Sequence, residues 1–397
     1  MHPPSRLCPV LTIQLYGHLS AQFGLAGGAA ATQRLLEAIG CRVQAHDLQL
    51  ATHPSLLPQP SRPSRSPGLA QLDLVHTNPN LLAANPELLK PEQLSAPLRI
   101  GYWAWELEAF PEGWEQHFSG YDEIWCPSGF AAQALAQRSP IPVIAVPHLP
   151  DWPRLEALRR RRQQQQRSGP MRLLSLFDFW STPERKNPLG AIAAFQRAFP
   201  LGQPDGPAVE LLIKTSSADQ FPQARAELEA ASAGDQRIRW LHALLSPEAM
   251  DQLLLDADIL LSLHRSEGFG LVLADAMAIE LPVIATGYSG NLDFMPPGSA
   301  ELVPWQPSTI ARTCGDYRQG WIWAEPDLTA AAAALRQLVA DHAGRAALAR
   351  CGAAAVRERL SPDRLGSIVR QRLGTLLLRP SRRQSLRYAP TALQALG

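Results

Sequence analysis

The chain is predicted to be an α/β protein made of two Rossmann-like domains whose parallel sheets face a cleft between them. Three observations lead to this reading. Residues 9–16 have the apolar pattern of a strand, which runs into Gly17-His18, a glycine-rich loop containing Gly24, Gly27 and Gly28, and an Ala-rich helix ending near Ile39. Strand, glycine loop and helix open a Rossmann-type unit. A second opening of the same kind begins at residues 171–177, and a polar, basic segment separates the two. The 397 residues suit two or three domains of roughly 100 to 200 residues each. The boundaries drawn on this basis are a first domain over 1–152, a linker over 153–170, a second domain over 171–360, and a last helix with a basic tail over 361–397.

Composition narrows the function classes. Hydrophobic content of 46% and charged content of 18% fit a globular enzyme, and 36 prolines imply many loops and strand boundaries. A net charge of +1 argues against nucleic acid as the general partner, because such domains carry a strong basic excess. The five cysteines, at 8, 41, 126, 314 and 351, form no Cys-x-x-Cys pair. They suggest neither a disulfide framework nor a zinc site, and reduced thiols fit a cytoplasmic protein. No stretch reaches the ~18 apolar residues of a spanning helix, and the first residues do not read as a signal peptide. The arginines at 159–162 and the tail RPSRRQSLRYAP are the candidates for peripheral contact with an anionic inner membrane face.

In chain order, residues 41–46 read as a second strand, and 52–67, rich in Pro and Ser, as a long surface loop. Strands at 72–76 and 98–102 follow, the latter leading into Trp103-Ala104-Trp105-Glu106. A helix over 129–137 and a strand over 142–147 lead to His148, which closes the first domain. In the second half, residues 180–187, WSTPERKN, connect the strand at 171–177 to an amphipathic helix over 189–199, bringing Arg185 and Lys186 near a helix start. Strands at 209–213, ending at Lys214, and at 238–240 precede a helix introduced by Ser246-Pro247-Glu248, a cap followed by proline at its preferred position.

The most informative stretch is 258–294. A short apolar run ends at His264, Arg265 and Ser266. Glu267 then leads into Gly268-Phe269-Gly270, and helical spacing resumes from Leu271 to Ala278. The glycines allow the backbone to pass close to a ligand, and the new helix start offers free N–H groups that attract anions. The next strand, 282–285, exits through a second turn of small residues, Tyr288-Ser289-Gly290-Asn291, at the same sheet edge. Helices over 344–360 and 362–378 follow an Ala-rich helix ending near Val339.

Glu267-Gly268-Phe269-Gly270-Leu271, an acid eight positions after the first at Asp275, and Pro282-Val283-Ile284-Ala285 resemble the signature of the retaining family-4 glycosyltransferases, the glycosyl transferases group 1. The resemblance implies the GT-B fold, with a last helix that crosses back to the first domain. It also implies a nucleoside-diphosphate sugar as co-substrate, with no further cofactor and no metal. In that family the first acid contacts the donor sugar and the second, normally glutamate, holds the ribose. Asp275 is one methylene shorter. The same resemblance puts Gly27 and Gly28 near the donor phosphates, Lys186 on the diphosphate, and Arg185 in the place of an arginine that relatives carry several residues away. Gly268, Phe269, Gly270, Leu271, Ser289 and Asn291 complete the expected donor site. GYWAWE and WAEPD resemble a bacterial subgroup with a Trp-Glu pair where many relatives have histidine, which implies that Glu106 faces the reacting sugar or acceptor. Lys186, Glu267 and Glu106 are thus the expected catalytic residues, while His148, Lys214 and His264, at strand exits, are further cleft candidates.

Two other motifs are set aside. Asp256-Ala257-Asp258 has the form of a metal-binding Asp-x-Asp but lies between a helix end and a strand start. Gly287-Tyr288-Ser289-Gly290-Asn291 lacks the last glycine of a nucleophile elbow. The expected function is transfer of a hexose-type sugar to a glycan or glycolipid acceptor. The alternative is a catalytically silent sugar-nucleotide binder on the same fold.

Overall fold

A computed structural model describes residues 11–53, 57–58, 70–165, 168–202 and 206–378. Most of the loop expected over 52–67, the segment ahead of residue 11 and the basic tail lie outside the described residues. The N-terminal half runs β1 (Thr12–Gly17), α1 (Gly24–Ala38), β2 (Arg42–Asp47), β3 (Leu72–His76), α2 (Pro79–Ala84), β4 (Leu98–Tyr102), β5 (Glu123–Cys126), α3 (Gly129–Ala136), β6 (Val143–Ala145) and α4 (Trp152–Gln164). Its six strands are all parallel, in the order β2-β1-β3-β4-β5-β6. The central strands are nearly continuous apolar runs because helices cover both faces; β3 is buried at every position.

The C-terminal half runs β7 (Met171–Asp178), α5 (Pro183–Lys186), α6 (Pro188–Ala198), β8 (Val209–Ser216), α7 (Pro222–Ala231), β9 (Ile238–His242), α8 (Pro247–Leu255), β10 (Ile259–Ser262), α9 (Leu271–Ala278), β11 (Val283–Thr286), β12 (Glu301–Val303), β13 (Trp305–Thr309), β14 (Ile322–Pro326), α10 (Leu328–Ala340), α11 (His342–Arg359) and α12 (Pro362–Leu377). A second six-stranded parallel sheet has the order β12-β11-β10-β7-β8-β9. The fold is therefore the two-sheet α/β architecture that the sequence predicts. Serine caps start α3, α8 and α12, and at α8 the Ser246 side chain accepts from the Ala249 N–H as its Ser-Pro sequence implies.

Strand order fixes where ligands bind. In open α/β sheets the crevice forms where neighbouring strands send their chains to opposite faces. That point lies between β1 and β3 in the first sheet and between β7 and β10 in the second. The segments leaving those strands carry Gly27 and Gly28, in the first turns of α1 rather than in the loop the sequence suggests, Arg185 and Lys186 in α5, and Glu267 in the turn before α9.

Two features differ from the sequence reading. Residues 153–170, expected as a polar linker, hold α4 as far as Gln164; Trp152, Leu155 and Leu158 form a buried stripe that joins the apolar cluster containing α8 and α9. Asp151 caps this helix, and Arg162 donates to the Leu254, Leu255 and Ala257 carbonyls around the end of α8. Arg162 thus neutralises a helix C-terminus and Arg159 pairs with Glu280, while Arg160 and Arg161 are exposed. The second feature is the antiparallel hairpin β13–β14, which has too little alternation in WQPST to be read as a strand. Helix α12 crosses back to the first half, packs on α1, and sets Arg372 against the fully buried carboxylate of Glu123.

Candidate functional site

The site is built where β7 and β10 end side by side. After β7 the chain makes the one-turn helix α5 between two left-handed residues, Thr182 (φ 63°) and Asn187 (φ 54°). Asn187 tolerates this conformation, and its side chain both donates to the Leu263 carbonyl (2.9 Å) and accepts from the Gly190 N–H (3.0 Å). The Arg265 N–H donates to the Arg185 carbonyl (2.7 Å). This stitching turns Arg185 and Lys186 toward the exit of β10. Arg185, 4% exposed, donates to the Ser266 carbonyl (2.8 Å) and stands 3.4 Å from Glu267 Oε2. Lys186 Nζ donates to Glu267 Oε1.

Glu267 is thus a buried carboxylate between two cations. Burial alone would raise its pKa; the Lys186 ammonium and Arg185 guanidinium outweigh that and hold it at about 2. Its backbone is fixed by the second turn: the Glu267 N–H donates to Ser289 Oγ (2.8 Å) and the Gly290 N–H to the Glu267 carbonyl (2.9 Å). Ser289 is held at φ 77°. A side chain at Gly290 would run into the Gly268 carbonyl oxygen, and Gly270, at φ +93°, forms the left-handed entry to α9.

The opposite wall comes from the N-terminal half. A Cβ on Gly27 would stand 3.1 Å from Leu271 Cδ1, so the start of α1 lies against the start of α9. Two helix N-termini, one from each half, therefore meet here. A Cβ on Gly28 would be 2.8 Å from His148 Cε1 and 2.9 Å from His76 Nε2. His148 stacks on Tyr102 and meets Phe269 edge-on, with centroids 5.0 Å apart. Tyr102 donates its hydroxyl proton to the Val146 carbonyl (2.6 Å), so its oxygen accepts from His148 Nδ1–H (3.2 Å) and Nε2 keeps its lone pair. Burial, with Arg34 adding to it, lowers the His148 pKa to about 3, so the ring is neutral at physiological pH. Glu106 meets the turn at Gly268 directly: a Cβ on Gly268 would lie 3.5 Å from Glu106 Cγ, and Ser266 Oγ donates to the Glu106 carbonyl. Trp103 and Trp105 turn into the core.

Four candidates have other surroundings. Asn291 is fully buried behind the turn, donating to the Thr286 carbonyl and facing His264 Nε2 through Oδ1 (3.2 Å). His264 is likewise buried, with its pKa lowered by burial. Lys214 lies within β8, its charged neighbour being Asp178. Asp275 sits one turn into α9, where Oδ2 accepts from Arg154 Nη1 and Nη2 (3.1 and 2.7 Å). Burial raises its pKa, against the pull of Arg154.

Several residues escaped the sequence reading. Arg154 lay within the presumed linker; the Trp152, Leu155, Leu158 spacing beside it was the available signal of a helix. Ser128 caps α3 and donates to the Gly268 carbonyl (2.6 Å), while Gly129 N–H donates to Asp293 (2.7 Å), joining the two halves at the donor turn. Tyr317, between β13 and β14, donates to Glu106 Oε2 (3.0 Å). No local pattern announces these contacts. Among the described residues no group of three or more His, Cys, Asp or Glu side chains is arranged to hold a metal ion, and no helix is long and apolar enough to cross a membrane.

Two six-stranded parallel sheets, with Arg185, Lys186 and Glu267 clustered at the switch point of the second, form the GT-B architecture. Residues 185–341, which carry both cations, Glu267 and the hairpin, match the family described as Glycosyl transferases group 1. The chain is similar in structure to sucrose-phosphate synthase from Thermosynechococcus elongatus, at 16% identity and a TM-score of 0.61, over 92% of this chain and 99% of that one. It is also similar to a glycosyltransferase from Rickettsia africae, at 12% identity and a TM-score of 0.63, over 94% and 100%. Anabaena HepE, in complex with UDP and glucose, matches at 12% identity and a TM-score of 0.58, over 92% and 100%. No curated protein sequence matches the chain.

Proposed function

We propose that the chain is a retaining, family-4 hexosyltransferase. It moves a hexose-type sugar from a nucleoside-diphosphate donor to a glycan or glycolipid acceptor, without a metal or other cofactor. The observation that carries this reading is the contact of Glu267 with Lys186 and Arg185 at the β7/β10 switch point, opposite the start of α1. Breaking the bond between C1 and the phosphate oxygen leaves positive charge on the sugar and added negative charge on the diphosphate. Lys186, Arg185 and the N-termini of α1 and α9 meet that negative charge. Glu267, ionised and near the donor turn, accepts from sugar hydroxyls, and Glu106 approaches from the acceptor side. Attack on the face the diphosphate leaves retains the anomeric configuration, and the acceptor proton passes to the departing phosphate oxygen.

Asp275 binds the ribose in this reading. Its Oδ2 is engaged by Arg154, and Oδ1 accepts the ribose hydroxyls. The complex named for the Anabaena structure makes UDP-glucose the first donor to test. Peripheral membrane contact, if the acceptor is a lipid, falls to exposed Arg160 and Arg161 and the tail.

Incubation with UDP-, GDP- and ADP-glucose, with and without inorganic phosphate, tests the reading. Release of nucleoside diphosphate, with the sugar on an acceptor or water, is expected. A silent binder releases nothing, and a phosphorylase gives a sugar 1-phosphate only when phosphate is present.

A further inference from the structure

The hairpin β13–β14 belongs to the C-terminal half, yet its far end is built into the N-terminal half. Cys314 and Tyr317 exchange backbone hydrogen bonds (3.0 and 3.1 Å) and close the tip. The tip then makes three polar contacts across the boundary. Asn80 donates to Asp316 Oδ2 (2.8 Å), Arg318 pairs with Glu112 (2.8 Å), and Tyr317 donates to Glu106 Oε2 (3.0 Å). The first two are exposed and contribute little. The third is different: Tyr317 is 7% exposed, its ring lies 5.7 Å from Trp105, and the Arg185 guanidinium stands 5.8 Å from the ring centroid.

The ring alone would satisfy the packing against Trp105 and Arg185, so phenylalanine would serve the apolar role. The hydroxyl has a separate use. A buried tyrosine finds a partner for its O–H, and here that partner is the carboxylate aimed at Gly268. The Glu106 backbone is already fixed by Ser266, which leaves its side-chain torsions as the remaining freedom. The phenol removes that freedom.

We propose that Tyr317 is a positioning residue, delivered across the domain boundary by the hairpin to fix the Glu106 carboxylate over the donor turn. This rests on the reading of Glu106 given above. The test is nucleoside diphosphate release from UDP-glucose, or from whichever of the UDP-, GDP- and ADP-glucose donors turns over, in wild type, Tyr317→Phe, Glu106→Gln and the double variant. A hydrogen bond to a charged group is large enough for Tyr317→Phe to lower kcat about tenfold, with donor KM unchanged and the melting temperature lowered only by the few degrees that one lost bond costs. Glu106→Gln should lose at least as much, and the double variant should be no slower than Glu106→Gln alone. Full-speed Tyr317→Phe beside an impaired Glu106→Gln overturns the positioning role and leaves the reading of Glu106 standing. Losses that multiply in the double variant, or a Tyr317→Phe that raises donor KM as much as it lowers kcat, also overturn it. A Glu106→Gln as fast as wild type overturns the reading of Glu106 and this inference with it. Turnover of none of the three donors overturns the enzymatic reading itself.

Discussion

Replacing Glu267 by glutamine keeps the shape of the side chain and removes the charge that two buried cations require. The carboxyl shifts from an ordinary 4.5 to about 2, which at 1.36 kcal/mol per unit sets an upper bound of about 3 kcal/mol, because burial lowers the Lys186 pKa at the same time and offsets part of the pair's gain. The side chain is only 11% exposed, so solvent screening does little to reduce the figure. Its sign follows from the direction of the shift. A lowered folded-state pKa contributes fully above about 4.5 and is lost as pH falls toward about 2. Glu267→Gln should therefore melt below wild type at neutral pH, by at most roughly 6 to 12 °C at about 2–4 °C per kcal/mol for domains of this size. The gap should shrink to less than half near about pH 3. Calorimetric melts of both proteins across that range check the pH dependence, and isothermal titration with UDP checks the second consequence. Lys186 loses its internal partner in the variant, so UDP should bind as tightly as to wild type or more tightly while sugar transfer falls. A melting gap that is absent at neutral pH, or that persists undiminished in acid, would refute the buried ion-pair argument. Loss of UDP affinity together with transfer would assign Glu267 to the nucleotide rather than the sugar.

Three further outcomes are expected. Lys186→Ala should cut turnover by roughly 100- to 1,000-fold, the loss typical of one charge-stabilising contact; initial rates with saturating donor check this, and unchanged turnover would remove Lys186 from the leaving-group site. Asp275→Ala should weaken UDP binding by roughly 10- to 100-fold, from about 1.5–3 kcal/mol for hydrogen bonds to a charged acceptor, while Asp275→Glu should retain most of it; titration calorimetry decides, and wild-type affinity in Asp275→Ala would leave the aspartate as no more than the partner of Arg154. Activity should survive EDTA, because Lys186, Arg185 and backbone N–H groups supply the leaving-group charge; loss restored by manganese or magnesium would reopen the Asp256-x-Asp258 segment.

The sequence by itself determined what depends on near neighbours along the chain. Apolar runs of strand length between helical patterns require parallel strands buried on both faces, and glycines at a strand exit give the tight turn, left-handed at Gly270, that opens α9. Glu267, Gly268 and Gly270 were legible for that reason, as were the two domain openings. Side-chain partnership was not legible, because it is set by which strands become neighbours. Arg185 and Glu267, 82 residues apart in number, meet only because β7 and β10 pair. The polar stretch after Trp152 read as a linker because its charges outnumber its apolar residues. In the structure its arginines find helix-end carbonyls, Asp275 and Glu280, which no local pattern reveals. Tyr317 shows the same limit more sharply. Its neighbours in sequence say only that a turn is near, and its hydroxyl acquires a role when the hairpin is carried against Glu106 in the other half of the molecule.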